Sequence, residues 1–209
     1  MAAMSESPVI SGTPAAGQLP AGRYRINVEQ STVTFTTRHL FGLAPVRGTV
    51  ALRDGTITLV RPVTGSAVHA RAAASTFRSG SRPRDAAVLS PRLLDVQAYP
   101  SLTFTSTDLV LESPWTPGRE PGPWLLRGEL EVRGVTRLVE ARITVLPGAG
   151  ASAGGQRDAT LRASARLSVD RYDFGLTAYR GLAARWLTID VSIVAELVQP
   201  DRLPPGTAA

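Results

Sequence analysis

The chain carries two histidines and no cysteine, so acid–base or metal chemistry has few side chains to draw on. His39 lies near the end of the stretch TVTFTTRHLFG, and His69 stands without a partner at ligand spacing. A metal centre needs three or four ligands, which two separated histidines do not supply. General acid–base catalysis needs paired titratable groups in one cavity. The pairs on offer are His39 with Asp85 or with Asp173. Neither a nucleophile elbow nor a glycine-rich phosphate loop occurs in the sequence.

A second set of reactive groups is cationic. FRSGSRPRD brings Arg78, Arg82 and Arg84 together and ends on Asp85. Planar guanidinium forks suit the oxygens of a phosphate or pyrophosphate head. Arg84 and Asp85 can equally form a local ion pair that caps a short helix, and both readings stand at this point. All 23 basic residues are arginine, and the formal charge is +6. A nucleic-acid surface would need arginines interleaved with aromatics on one outward face. Tyr172, Phe174 and Tyr179 come together only in DRYDFGLTAYR, while Arg127, Arg142, Arg162 and Arg166 each take the polar phase of an alternating segment. That pattern predicts a solvated exterior and no nucleic-acid partner.

These groups must be positioned by strands. In TVTFTTRH, Val33, Phe35, Thr37 and His39 share one face, because successive strand side chains point to opposite sides. The same alternation predicts strands over 24–29, 32–40, 46–53, 56–60, 66–75, 101–112, 123–133, 135–146, 159–169 and 185–197. Asp54-Gly55 and Arg133-Gly134 are hairpin signals. SPWTPGREPGP and PGAGASAGGQRD are glycine- and proline-rich loops. Only RPRDAAVLSPRLLDVQAYP lacks a period of two, which predicts a short helical insert around residues 84–95, capped by Asp85 and limited by Pro91. Long antiparallel strands with one helical insert predict an all-β fold, an antiparallel barrel of about eight strands, whose closure removes exposed edges.

The inward phase has small side chains: Ala70 and Ala72; Phe104 beside Ser106; Leu126 and Gly128; Ala163 and Ala165. An eight-stranded barrel is just wide enough for large side chains to fill, so a wall of small ones predicts an elongated apolar cavity. Its guest would be a long hydrocarbon. Small residues can also serve to let strands tilt or the helix pack closely. Phe35, Thr37, Val50, Ala70, Ala72, Phe104, Leu126, Gly128, Ala163 and Ala165 are the predicted lining, with His39, Arg84 and Asp85 for a polar head.

The order of YRINVEQSTVTFTTRHL, VRG, RD, SPRLLDVQAYPSLTFTST, RGVTR and DRYDFGL over about 24–196 resembles the YceI-like family of lipocalin-like barrels. That resemblance implies binding of polyisoprenoid chains. It departs from the family at Asn27 and Gln30, at Ala87-Val88, and at Leu93 and Leu94, which touches the polar and aromatic contacts of the insert.

The expected function is non-catalytic binding, sequestration or transport of a polyisoprenoid, an isoprenoid quinone or another long apolar molecule, with no cofactor. A small barrel enzyme using His39 and a carboxylate on a lipid-like substrate is the alternative. Residues 1–21 and 200–209 read as flexible leader and tail around a domain at 22–199. The start has no basic segment or long apolar run, which predicts a cytoplasmic chain without stable membrane insertion. The sequence leaves a homodimer open.

Overall fold

The alternating segments become antiparallel strands in the computed structural model, which describes residues 19–39, 44–112, 124–146, 150–152 and 155–200. They are β1 (Gly22–Ile26), β2 (Thr32–His39), β3 (Ala44–Val50), β4 (Leu52–Leu59), β5 (Ala67–Ala73), β6 (Ser101–Leu111), β7 (Trp124–Val132), β8 (Val135–Val145), β9 (Gly150–Ser152), β10 (Gly155–Asp170) and β11 (Trp186–Pro200). The pairing runs β11-β1-β4-β5-β6-β7-β8-β10, and β10 returns to β11. A closed ring of eight strands results, as the sequence predicts. No described helix is long and apolar enough to cross a membrane.

Two of the walls are long strands broken in the middle. β1 and β2 follow one another along the same edge of β11, with Ile26 opposite Ala195 and Thr32 opposite Ser192. Between them the Asn27 side chain accepts the Gln30 N–H at 3.2 Å, and Ser31 Oγ accepts the Val194 N–H at 3.0 Å. These bonds replace the ladder that the turn interrupts. β3 pairs with β2 and β4 with β1, so β3 and β4 form the next wall, broken at Ala51. Asp54-Gly55 is therefore not a hairpin. It lies inside β4, beside a bulge opposite β5, and Asp54 is held by Arg71 across the ladder at 2.9 Å. Arg133-Gly134 is a hairpin turn: both φ angles are positive, 52° and 70°, and Val132 pairs with Val135.

The helical insert is α1 (Arg82–Leu89), shorter and earlier than predicted. Ser81 occupies the N-cap without a side-chain bond, and Pro83 fits the first turn because its missing N–H is not needed there. Asp85 is not the cap. Its Oδ1 accepts the Ser79 N–H at 2.9 Å and the Ser79 hydroxyl at 2.5 Å. Arg84 Nε donates to Ser79 Oγ at 2.7 Å and its Nη2 to Ser79 O at 2.9 Å. The two charged residues thus clamp the same serine instead of each other. The helix stops at Ser90, before Pro91, and the chain continues in turns.

Two apolar clusters pack toward opposite ends of the barrel wall. One gathers Leu19, Tyr24, Ile57, Leu59, Leu161 and Leu197; the other gathers Val50, Phe77, Leu94, Val169, Phe174 and Leu176 under α1. Leu19 corrects the expected leader boundary: its side chain is buried in the first cluster, and its carbonyl accepts Arg61 Nη2 at 2.6 Å. The reading of 1–18 as a leader falls outside the described residues, as do the SPWTPGREPGP loop and the tail beyond Pro200, which itself ends β11. Within PGAGASAGGQRD, Gly150–Ser152 pair with β10 as a short strand.

Tyr24 is fully buried in the first cluster, and its hydroxyl donates to Pro20 O at 2.6 Å. Burial pushes its phenol up to about 12, against the opposing pull of Arg61. Folding therefore favours the neutral phenol. This contribution is intact below the unfolded value of about 10 and is lost as pH rises from there toward the folded value. An alkaline unfolding step starting above about pH 10 is expected, and Tyr24→Phe should abolish it while costing about 1 kcal/mol at neutral pH. Circular dichroism across an alkaline titration of both proteins checks this; an unchanged step in Tyr24→Phe would assign it elsewhere.

Candidate ligand cavity

The inner face of the ring is not filled. Val33, Phe35, Leu102, Phe104, Ala165, Ile189 and Val191 point into the barrel yet are only half-buried. They face a cavity of about 690 Å³ that extends from Ile26 and Ile57 at one end to α1 and the 179–184 loop at the other. The reason is in the side chains: Ala70, Ala72, Ala163 and Ala165 span only part of the lumen. Phe35 stacks on Phe77 with centroids 4.6 Å apart and narrows one side.

Most of the predicted lining falls on this cavity. Phe35, Thr37, Val50, Ala70 and Ala72 reach it from β2, β3 and β5, and Phe104, Leu126, Ala163 and Ala165 from β6, β7 and β10. Arg84 reaches it from α1. Asp85 and Gly128 do not line it. Asp85 is turned to Ser79, and the space inside Gly128 is taken by the Phe104 ring, whose Cζ lies 2.5 Å from where a Cβ would stand. His39 ends β2 opposite Ala44, and its side chain lies outside the described residues. His69 is on the outer wall, its Nδ1 3.1 Å from Thr105 Oγ1.

The sequence reading missed Arg171. The inward phase of β10 runs Leu161, Ala163, Ala165, Leu167 and Val169, and two residues on it delivers Arg171 to the cavity end. That phase was the available signal. The buried guanidinium donates to Ala184 O at 2.9 Å, to Ala178 O at 2.9 Å, to Ala183 O at 3.2 Å and to Leu176 O. Burial pushes its pKa down from the ordinary arginine value, which Tyr172 and Asp170 oppose. Tyr179, Leu182, Ala183 and Ala184, on the loop it holds, also line the cavity end.

Chemically the site is an apolar tube with cations at one end. Among the described lining residues Arg84 and Arg171 are the charged ones, and no carboxylate is present. The Asp173 carboxylate, offered above as a partner for His39, is exposed and belongs to an outer groove beside Arg166 and Trp186, where β8 and β10 part company. Neither Asp85 nor Asp173 therefore faces the lumen. No group of three or more His, Asp or Glu residues able to hold a metal occurs among the described residues. The strand arginines face outward as expected: Arg127 meets Glu140 at 2.8 Å, Arg142 meets Glu112 at 2.8 Å, and Arg166 meets Asp190 at 2.5 Å.

A family model described as the YceI-like domain matches residues 24–198. No curated protein matches the chain. Among solved structures, BcnA of Burkholderia cenocepacia is similar with a TM-score of 0.63 and 16% identity, over 81% of this chain and 98% of that one. A polyisoprenoid binding domain from Saccharophagus degradans, implicated in plant cell wall breakdown, gives 0.61 and 14% over 83% and 98%. The YceI protein of Campylobacter jejuni gives 0.53 and 15% over 68% and 79%. At these identities the structural likeness concerns the fold.

Proposed function

Because this chain belongs to the YceI-like family, we propose that it binds a long apolar molecule inside the barrel, a polyisoprenoid or isoprenoid quinone, and sequesters or carries it without chemistry of its own. The observation that carries this reading is the lumen itself. A cavity of about 690 Å³ walled by aliphatic and phenyl groups, with no described carboxylate on its surface, has the size and polarity of a ligand site. Each methylene moved from water into it gains about 0.8 kcal/mol. An elongated guest touching Ala70, Ala72, Ala163 and Ala165 would recover much of the contact that the half-buried walls lack.

The polar end of the guest would meet arginine. Arg84 uses Nε and Nη2 on Ser79, and its Nη1 makes no bond to the described residues. A hydroxyl, carbonyl or phosphate oxygen at that end would satisfy it, and Thr37 adds a hydroxyl to the lining, although its Oγ1 already donates to Trp186 O at 3.1 Å. His39, two residues further along β2, is assigned to the head group from the sequence pattern alone. The similar domain from Saccharophagus degradans is a polyisoprenoid binding domain by description, which supports the choice of guest. Mass spectrometry of an organic extract of the purified protein is the test, paired with titration of a fluorescent polyprenol analogue into delipidated protein. We expect a recovered isoprenoid and saturable binding. A protein that yields no lipid and binds no polyprenol of any length would refute the reading.

A further inference from the structure

An apolar guest has to reach the lumen through water or from a surface that already holds it. Residues that both line the cavity and face solvent mark the way in, and two stand out. Tyr179 and Leu182 contribute to the lining and are still 38% and 49% exposed. They sit on one tight turn, in which Leu182 N and Ala183 N both donate to Tyr179 O, at 3.1 and 3.0 Å. Arg171 anchors the turn from beneath through its bonds to Ala178 O and Ala183 O. Trp186, at the start of β11 just after the same loop, is 58% exposed. Exposed leucine, tyrosine and tryptophan on an anchored rim are not held there by the core.

The charge around this rim has one dominant sign. Arg180 lies between Tyr179 and Leu182 in sequence, is exposed, and packs its guanidinium 5.0 Å from the Tyr172 ring centroid. Arg82 is exposed at the start of α1, next to Pro83 and Arg84, which line the cavity. Of the acids on the insert and the 170–186 segment, Asp85 is turned to Ser79, Asp170 is engaged by Arg185 at 2.5 Å, Asp95 is half-buried, and Asp173 is exposed. Interfacial tryptophan and tyrosine, an inserted leucine and surrounding arginines are the chemistry of docking to an anionic lipid surface.

We propose that the Tyr179–Trp186 rim, with Arg82 and Arg180, docks the open end of the barrel onto an anionic phospholipid bilayer, so that the apolar guest passes between membrane and lumen without crossing water. This inference rests on the cargo reading above, and it adds the place where cargo is exchanged. The protein binds reversibly at the surface: the rim presents a few side chains, not a spanning segment.

Cosedimentation of the full chain with vesicles tests this, comparing phosphatidylcholine alone with equal parts phosphatidylcholine and phosphatidylglycerol. Wild type should sediment with the anionic vesicles and be released by salt, because screening weakens arginine–headgroup attraction. Arg82→Glu combined with Arg180→Glu should lower the partition coefficient about tenfold or more, and Leu182→Asp should lower it independently of charge on the arginines. Val198→Asp, at the other end of β11 with a side chain as exposed as Leu182, should leave it unchanged. Each protein is also titrated with the fluorescent polyprenol analogue in solution. Polyprenol binding without vesicle binding would overturn the docking inference and leave the cargo reading intact. Equal binding to neutral and anionic vesicles, or equal loss in Val198→Asp, would also overturn it.

Discussion

Ala165→Trp should weaken polyprenol binding at least tenfold and leave the barrel folded. Ala165 lies on β10 between Ile143 of β8 and Val191 of β11, lines the lumen, and is only half-buried because nothing fills the space before it. An indole there takes room that the guest would use. Displacing two methylenes already removes about 1.6 kcal/mol, slightly more than a factor of ten in Kd. The same indole in a filled core would cost about 1–3 kcal/mol of stability. Fluorescence titration and thermal melts on one preparation separate the two. Gly128→Ala provides the contrast on β7, which β8 separates from β10. A Cβ at Gly128 would stand 2.5 Å from Phe104 Cζ and 2.6 Å from Thr105 O. That methyl should cost about 1–3 kcal/mol of stability, with binding by the folded fraction unchanged. If Ala165→Trp unfolds the protein and Gly128→Ala does not, the lumen is elsewhere than the structure places it.

The difference between Ala165 and Gly128 marks the limit of what alternation along a strand can tell. Both are small, and both fall on the inward phase; periodicity fixes the face of the sheet and says nothing of the neighbour across the lumen. Phe104 comes to Gly128 from the adjacent strand as a diagonal neighbour, two residues before Ser106, which pairs with Gly128. Such registers are set by long-range pairing and leave no local mark. Asp54-Gly55 failed as a turn signal for a related reason: the dipeptide suits a hairpin, but β4 needs to pair with β1 and β5 at once, and a straight-through strand beside a bulge meets that demand. The ring of eight and the Arg133-Gly134 turn were legible, because there the pattern and the local backbone preference agree. At the insert, Pro91 marked where the helix stops, whereas the role of Asp85 depended on Ser79, a residue with no pattern of its own. Arg171 was legible in principle from the phase of β10, but an arginine on an inward phase reads as the end of a strand unless its carbonyl partners are known.

Those partners make Arg171→Met the substitution with the largest expected effect on stability. The guanidinium donates to the carbonyls of Leu176, Ala178, Ala183 and Ala184 and lies 4.8 Å from the Tyr172 ring centroid, so one side chain closes the turn that ends the lumen. Methionine keeps the apolar length and supplies no donor. Each buried carbonyl left unpaired costs about 1–3 kcal/mol, and water entering through the loosened turn will recover part of that. A net loss of about 3–5 kcal/mol is expected, which for a domain of this size lowers Tm by about 10 °C. Arg171→Lys should recover little, because three donors on one nitrogen cannot reach four carbonyls set around a planar fork. Hydrogen exchange should localise the damage: amides of Leu182 and Ala183, bonded to Tyr179 O in the native turn, should lose protection first, while those of β10 and β11 keep theirs. If Arg171→Lys melts with wild type and the turn stays protected, the guanidinium does not hold the mouth. The anchoring of Tyr179 and Leu182 would then have to come from the packing of Phe174 and Leu176 alone.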